Sequence, residues 1–171
     1  MTNPVARWED YFQRVHPEWR YHTLDANTLV VEVPHFNEEL HVTCSVEQDG
    51  DGDHDWYGAD YPFPLATPQD RHAAIGELLH RINGKFPGCA FCLDYDSGQV
   101  TCTSMHPCSG SDPDDIWLDK VVMPLLDAII RFRTGLIATS FYDVVPRLAI
   151  PLSAMDLPLI PPSDSSDVWW V

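Results

Sequence analysis

The stretch from Ile82 to Ser104 constrains the fold more than any other part of the chain. A helical apolar pattern ends at Asn83-Gly84, an apolar run follows, and Asp96-Ser97-Gly98 separates that run from a second, alternating one. Asn-Gly pairs commonly end helices in a left-handed conformation, and an Asp-Ser-Gly turn between two β-type runs is typical of a hairpin. The sequence therefore predicts a helix followed by strands over roughly 88–95 and 99–105.

Two helices are predicted before this hairpin. The first follows Asn3-Pro4, a capping residue and a proline at the first helical position, and Pro17 stops it. The second begins at Thr67-Pro68, again a capping residue followed by a proline, and ends at Asn83-Gly84. Apolar residues recur at helical spacing in both segments, so each helix is expected to bury one face.

A third helix is predicted after the hairpin, beginning near residues 111–115, where a cap, a proline and several acids occur together. Its apolar face is too wide for a helix with a solvated side, so we expect it to pack on the sheet and on a further partner, with a second protomer as one option. Pro124 is expected to kink or split it, and Gly135 to cap its end.

Strand-type alternation between the first two helices predicts three strands, over residues 29–33, 40–46 and 56–61, with Pro62 and Pro64 ending the third. The predicted order is α-β-β-β-α-β-β-α. We expect an α+β fold with an antiparallel sheet of about five strands and helices packed on it.

The composition changes near residue 143. The C-terminal segment from residue 144 holds five of the 15 prolines and shows neither helical nor strand periodicity. We therefore expect one α+β domain over residues 1–142 and a Pro-rich extension over 143–171. The extension is expected to pack on the domain or to bind a partner, since termini are ordered only when something holds them.

The charge balance restricts the classes of partner. With 26 acidic and 10 basic residues the net charge is −16, which disfavours binding to nucleic acid and to anionic lipid. No apolar run is long enough to predict membrane insertion. The first residues lack the pattern of a signal peptide and the five cysteines are an odd number, so we expect reduced thiols and a cytoplasmic protein.

The spacing of the cysteines and histidines is compatible with a redox-active pair or a zinc site, but the predicted strand geometry argues against both. Cys89 and Cys92 form a CxxC motif, but on a strand they point to opposite faces, with Cys92 facing Cys102 across the hairpin. Cys102, His106 and Cys108 would need a fourth zinc ligand, for which Cys92 and His41 are the candidates, and their spacing matches no zinc knuckle. We therefore expect structural thiols rather than a metal site, and leave open whether Cys92 and these three residues meet.

Other motifs of chemistry are weak or missing. Residues 49–55 resemble the start of a calcium loop but lack the glycine and glutamate that it requires, so a solvated loop is expected. No nucleophile elbow, phosphate-binding loop or dinucleotide fingerprint is present in the sequence. We expect no catalytic residues, no cofactor and no enzymatic activity.

The element order, together with Ile82-Asn83, Gly88–Asp94 and Ser97–Val100, resembles the YbjN family and the type III secretion chaperone-like fold that it shares. The resemblance covers roughly residues 4–140. It implies an antiparallel sheet with helices packed against it, often a homodimer, and no known catalytic residues. It also implies that an extended partner segment is held in apolar grooves and by strand addition at sheet edges.

On this basis we expect a non-enzymatic protein-binding module, chaperone-like or regulatory, that holds an extended segment of a secreted substrate, toxin or regulator. The alternative is an acidic immunity or inhibitor protein that masks a basic toxin or nuclease, whose binding would weaken steeply with salt. The candidate partner-binding residues lie on the third helix and in the extension: Trp117, Val121, Leu125, Leu157, Ile160, Trp169 and Trp170.

Overall fold

Three helices lie against one face of a six-stranded antiparallel sheet in the computed structural model of the chain, which describes residues 4–36, 38–48, 54–109, 113–142 and 144. The sheet order is β1-β2-β3-β4-β6-β5, so β1 and β5 form its two edges. The elements, in chain order, are α1 (Pro4–Val15), β1 (Arg20–Thr23), β2 (Thr28–His35), β3 (Glu38–Gln48), β4 (His54–Ala66), a 3₁₀ turn (Gln69–Arg71), α2 (His72–Asn83), β5 (Ala90–Leu93), β6 (Gln99–Ser109) and α3 (Asp115–Phe141).

This architecture confirms the predicted α+β class and the alternation of helices and strands. The described strand that the prediction lacks is β1, which pairs with β2 at the edge of the sheet. It is short and reads Arg-Tyr-His-Thr, so it has no apolar alternation to reveal it.

The start of α2 differs from the prediction because Thr67 is engaged elsewhere. Its amide donates to the carbonyl oxygen of Gly98 at 2.8 Å, and its hydroxyl lies 3.3 Å from that of Ser140. The chain then makes a 3₁₀ turn, and the α-helix begins only at His72. Tertiary contacts thus displace the cap that the sequence pattern predicts.

Helix α2 ends at Asn83 as predicted, but the left-handed conformation predicted there and the predicted end of α3 are wrong. Gly84 is right-handed, with φ of −72°, because the amides of Lys85 and Phe86 bond back to the carbonyl oxygen of Ile82 and extend the turn. Helix α3 continues through Pro124 and a buried Gly135 as far as Phe141, so neither residue splits or ends it.

Strand β4 continues past the prolines that were expected to end it. Its pairing with β3 stops at Asp60, whereas its pairing with β6 extends to Ala66, with a register shift after Pro62. The last part of β4 therefore has one neighbour only. Prolines are tolerated there because a strand with one free side does not need every amide.

The core lies between the sheet and the helices. On β3, Leu40, Val42, Cys44 and Val46 are buried while the intervening residues face the other side of the sheet. Helix α3 lies against β4 and β6 and also contacts α1 and α2, so its wide apolar face is shared among these neighbours. Within the described residues, no helix is long and apolar enough to cross a membrane.

Helices α1 and α3 are tied at their ends by polar contacts. Arg7 donates to the carbonyl oxygen of Pro113 at 2.5 Å and to the carboxylate of Asp115 at 2.9 Å. The hydroxyl of the buried Tyr11 donates to Asp119 at 2.5 Å. These contacts join segments that lie more than a hundred residues apart in the sequence.

Candidate protein-interaction site

The CxxC cysteines lie on opposite sides of the sheet, as predicted. The thiol of Cys89 contacts the carbonyl oxygen of Pro124 at 4.0 Å on the helix side, whereas Cys92 is exposed. The expectation that Cys92 faces Cys102 is wrong, because Cys92 pairs with Thr101. Four residues rather than three separate the ends of the hairpin, which shifts the register by one position.

The remaining thiol and imidazole groups have structural surroundings. Cys102 and His106 are four residues apart on β6, which places them about 13 Å apart along the strand. The His106 ring lies edge-on to Trp117 at 6.2 Å, and burial lowers its pKa. Across the residues that the structure describes, no group of three or more His, Cys, Asp or Glu side chains is placed to hold a metal ion. Residues 49–53 of the acidic loop lie outside the described residues.

The partner-binding residues predicted on α3 face inward. Val121 and Leu125 are fully buried, and Trp117 is half-buried with its ring 5.7 Å from that of Tyr57. Val121 and Leu125 contact the domain's own core, because a helix packed on a sheet buries its most apolar positions, whereas Trp117 keeps part of its surface exposed. The predicted residues of the extension lie outside the described residues: Leu157, Ile160, Trp169 and Trp170.

The β5 edge of the sheet is closed by a side chain. The Asn83 amide nitrogen donates to the carbonyl oxygen of Phe91 at 2.9 Å, and its oxygen accepts from the Phe91 amide at 2.8 Å. One asparagine at the end of α2 thus occupies both backbone groups that a neighbouring strand would use. Occupied backbone groups do not pair with an incoming chain, so this edge is protected against strand addition at Phe91.

The β1 edge has a different arrangement. The amide of Leu24 donates to the carbonyl oxygen of Thr28 at 2.9 Å, which places this pair in a hydrogen-bonded position of the antiparallel ladder. Because hydrogen-bonded and non-bonded pairs alternate, the backbone amides and carbonyls of Tyr21 and Thr23 point away from β2. No other strand lies beyond β1 in the described sheet.

Side chains on both sides of β1 give this edge an apolar and acidic border. The Tyr21 ring lies 6.3 Å from that of Phe12 on the helix side. The Thr23 hydroxyl donates to Glu9 at 2.6 Å. On the other face of the sheet, Arg20 binds two carboxylates, Glu32 at 2.9 Å and Glu39 at 2.5 Å. Two carboxylates thus bind the one guanidinium on this face, and Glu9 lies on the helix side of the strand.

Sequence reasoning missed both features that distinguish the two edges. Strand β1 carries no apolar pattern, and only its position between a helix and β2 could have suggested it. Asn83 ends α2, as the sequence predicts, but its side chain also binds the backbone of the next strand, which the residue type does not reveal. No protein-family model matches the chain, and no curated protein sequence matches it.

Proposed function

We propose that the protein is a non-enzymatic binding module that holds an extended segment of another protein along the β1 edge of its sheet. The observation that carries this proposal is the difference between the two edges of the sheet. Asn83 occupies the outward backbone groups of Phe91 on β5, whereas the outward amides and carbonyls of Tyr21 and Thr23 on β1 are available. An extended peptide added there would gain main-chain hydrogen bonds, as in strand-addition complexes.

The border of the edge indicates the chemistry of the segment. Glu9, Glu32 and Glu39 outnumber Arg20, and the whole chain carries a charge of −16. A segment with Lys or Arg beside apolar residues complements this border, because opposite charges steer association.

The five free cysteines, all of them described, support the further proposal that the protein works in a reducing, cytoplasmic compartment. The resemblance to the YbjN and secretion-chaperone fold supports the same class of function.

The decisive variant is Thr23→Pro. The amide of Thr23 points away from β2, so proline removes an outward donor and adds a ring at the edge without breaking a bond of the β1–β2 ladder. Thr23→Ala is the matched control, since it removes the hydroxyl contact with Glu9 and keeps the amide.

The assay starts from peptides selected against the wild-type protein from a displayed random library. We expect Thr23→Pro to weaken the selected peptides about tenfold or more, through loss of one to two main-chain hydrogen bonds, and Thr23→Ala to leave affinity nearly unchanged. Protection of the Tyr21 and Thr23 amides from hydrogen exchange upon binding would locate the peptide.

The competing hypothesis makes a different prediction in the same assay. An inhibitor that masks a basic surface by charge would lose affinity steeply as salt rises and would be indifferent to Thr23→Pro. Selected peptides that behave in this way, or a selection that enriches no peptide at all, would overturn strand addition at β1.

A further inference from the structure

Strands β3 and β4 separate at one end of the sheet. Their pairing ends at Thr43 and Asp60, although β3 begins at Glu38 and β4 continues to Ala66. The space between residues 38–42 of β3 and residues 61–66 of β4 is the β3–β4 gap. It differs from the two edges of the sheet because it lies between neighbouring strands.

The β3 side of the gap presents backbone groups to it. The amide of Val46 donates to the carbonyl oxygen of Asn27 at 2.9 Å, so Val46 and every second residue before it direct their backbone groups toward β2. The amides and carbonyls of Glu39 and His41 therefore point into the gap, where β4 no longer pairs with β3. On the opposite side, Pro62 has no N–H to offer. An extended segment that enters the gap would thus pair with β3.

An apolar slot adjoins the gap, between the end of β4 and the last turns of α3. Its volume is about 40 Å³, and Phe63, Val100 and Leu136 are among the apolar side chains that line it. This volume exceeds what one water molecule needs and is well below the roughly 150 Å³ that accommodates benzene. The slot therefore fits the tip of one aliphatic side chain and is too small for a tryptophan ring.

The rim of the slot is apolar and exposed. Leu65 and Phe141, which both line the slot, are 51% and 44% exposed. Arg133 and Ile137 separate the slot from a wider, more open hollow that adjoins Glu38 on the β3 side. Charged side chains line this hollow, so it suits a main chain, whereas the slot suits an apolar side chain.

The C-terminal extension begins beside the slot. The amide of Val144 donates to the carbonyl oxygen of Ala138 at 3.4 Å, and its side chain packs against the core, so the chain turns back onto the last turn of α3. The slot and the hollow together extend along α3 from Phe141 to Ile129, which is about 18 Å at the helical rise. Six extended residues span about 20 Å, so residues 145–150 are long enough to cover this distance.

We propose that residues 145–152 of the extension lie in the β3–β4 gap and pair with the backbone of Glu39 and His41. Leu148 or Ile150 then fills the apolar slot, and the extension covers the exposed rim. This surface does not include the β1 edge, so the proposal can fail while strand addition at β1 holds, and the reverse.

The sequence of the segment suits the gap. Val145 and Ile150 each precede a proline, and a residue before proline favours an extended backbone, which pairing along β3 requires. The tryptophans at the end of the extension, Trp169 and Trp170, are too large for the slot. The aliphatic residues near the start of the extension are therefore the better occupants.

Trypsin provides a direct test, because Arg147 is the only Lys or Arg that follows Arg133 in the sequence. Cleavage after Arg147 releases residues 148–171, which mass spectrometry detects. A docked segment is cleaved only when it opens, so the rate measures the open fraction. Each rate is divided by that of a synthetic peptide with the same sequence over residues 142–155, which corrects for the effect of a substitution on the protease itself. Cleavage after Arg133, inside α3, reports unfolding of the domain and separates it from loss of docking.

One pair of variants changes the slot. Leu65→Glu places a charge at the exposed rim, where it should not disturb the core. Leu24→Glu is the matched control, because Leu24 is 58% exposed in the turn between β1 and β2, away from the slot.

A second pair changes the extension. The double variant Leu148→Ser/Ile150→Ser removes the two side chains that are candidates for the slot. The double variant Leu157→Ser/Ile160→Ser makes the same changes farther along the chain and is its control.

We expect the full-length wild-type protein to be cleaved after Arg147 at least about tenfold more slowly than the peptide, because burial of one aliphatic side chain is worth such a factor. Leu65→Glu and Leu148→Ser/Ile150→Ser should lose most of this protection, and both controls should keep it.

Wild-type cleavage at the rate of the peptide would overturn the proposal. Protection that either test variant leaves intact, or that a control loses equally, would overturn it as well, because the extension would then lie on another surface. Protection that rises with protein concentration would show that the extension binds a second copy of the chain and not its own domain.

Discussion

Replacing Asn83 by alanine tests the physical argument about the closed sheet edge. The variant removes the amide that binds both the N–H and the C=O of Phe91, at 2.8 and 2.9 Å. The substitution leaves the sequence of β5 unchanged, so the strand remains but loses the Asn83 side chain that pairs with its backbone. Any change in the free energy of unfolding, or in hydrogen exchange at the Phe91 amide, then measures the effect of the two bonds from Asn83.

The expected cost follows from the two bonds. Each contributes about 1 kcal/mol net, and alanine returns about 0.5 kcal/mol as the better helix former at the end of α2. The free energy of unfolding should therefore fall by about 1.5 kcal/mol. For a chain of this size, that corresponds to a decrease in Tm of about 3–6 °C.

The assay combines thermal unfolding with hydrogen exchange at the Phe91 amide. Arg81→Ala is the control on the same helix, because it removes only an exposed ion pair with Glu77, worth at most about 0.5 kcal/mol. We expect Asn83→Ala to melt lower than this control and to exchange faster at Phe91. If Asn83→Ala melts with the wild type and Phe91 stays equally protected, then the edge is not held by Asn83 and the argument fails.

Two further predictions concern the side chains that the structure places in the core. Leu125→Ala should destabilise the domain by about 2–5 kcal/mol as judged by denaturant unfolding, whereas Ile116→Ala on the same helix should change stability little, because only Leu125 is fully buried. Cys92 should react rapidly with an alkylating reagent in the native protein, while Cys44 and Cys102 should react only on unfolding. Burial raises the pKa of Cys44, and a hydrogen bond that the Cys102 thiol donates to Cys89, together with burial, raises the pKa of Cys102, so neither forms a thiolate. Equal labelling of all three thiols by mass spectrometry would show that these burial assignments are wrong.

The fold could be predicted where apolar periodicity is strong. The alternation at Leu40, Val42, Cys44 and Val46 places these four residues in the core, as the structure confirms. Local capping signals were less reliable. Thr67 has the residue type of a helix cap, but its hydroxyl, the group that would cap, instead lies beside that of Ser140, which is distant in the sequence.

The candidate interaction surfaces were harder to predict than the fold, for a physical reason. Apolar character alone selected Val121 and Leu125, and the most apolar positions of a helix are the ones that its own domain buries. The edge of β1 is defined by backbone groups, which every sequence has. The β3–β4 gap begins near Pro62, which the sequence indicated only as the end of a strand.

The contacts between α1 and α3 carry a consequence for how the chain is made. Arg7 leaves the ribosome 108 residues before its partner Asp115. Because domains form from the N-terminus during synthesis, α1 emerges long before the helix that completes its surroundings. The buried Tyr11, whose hydroxyl donates to Asp119 on α3, gains this partner only when that helix has been made.

The sheet is also covered by α3 only late in the synthesis of the domain. The six strands of the described sheet all precede α3 in the sequence, and α3 covers β4 and β6. A nascent chain that pauses before Asp115 therefore has these strands but lacks the helix that covers two of them. Such an intermediate exposes apolar sheet surface, so the synthesis of α3 determines when this part of the protein is protected from aggregation.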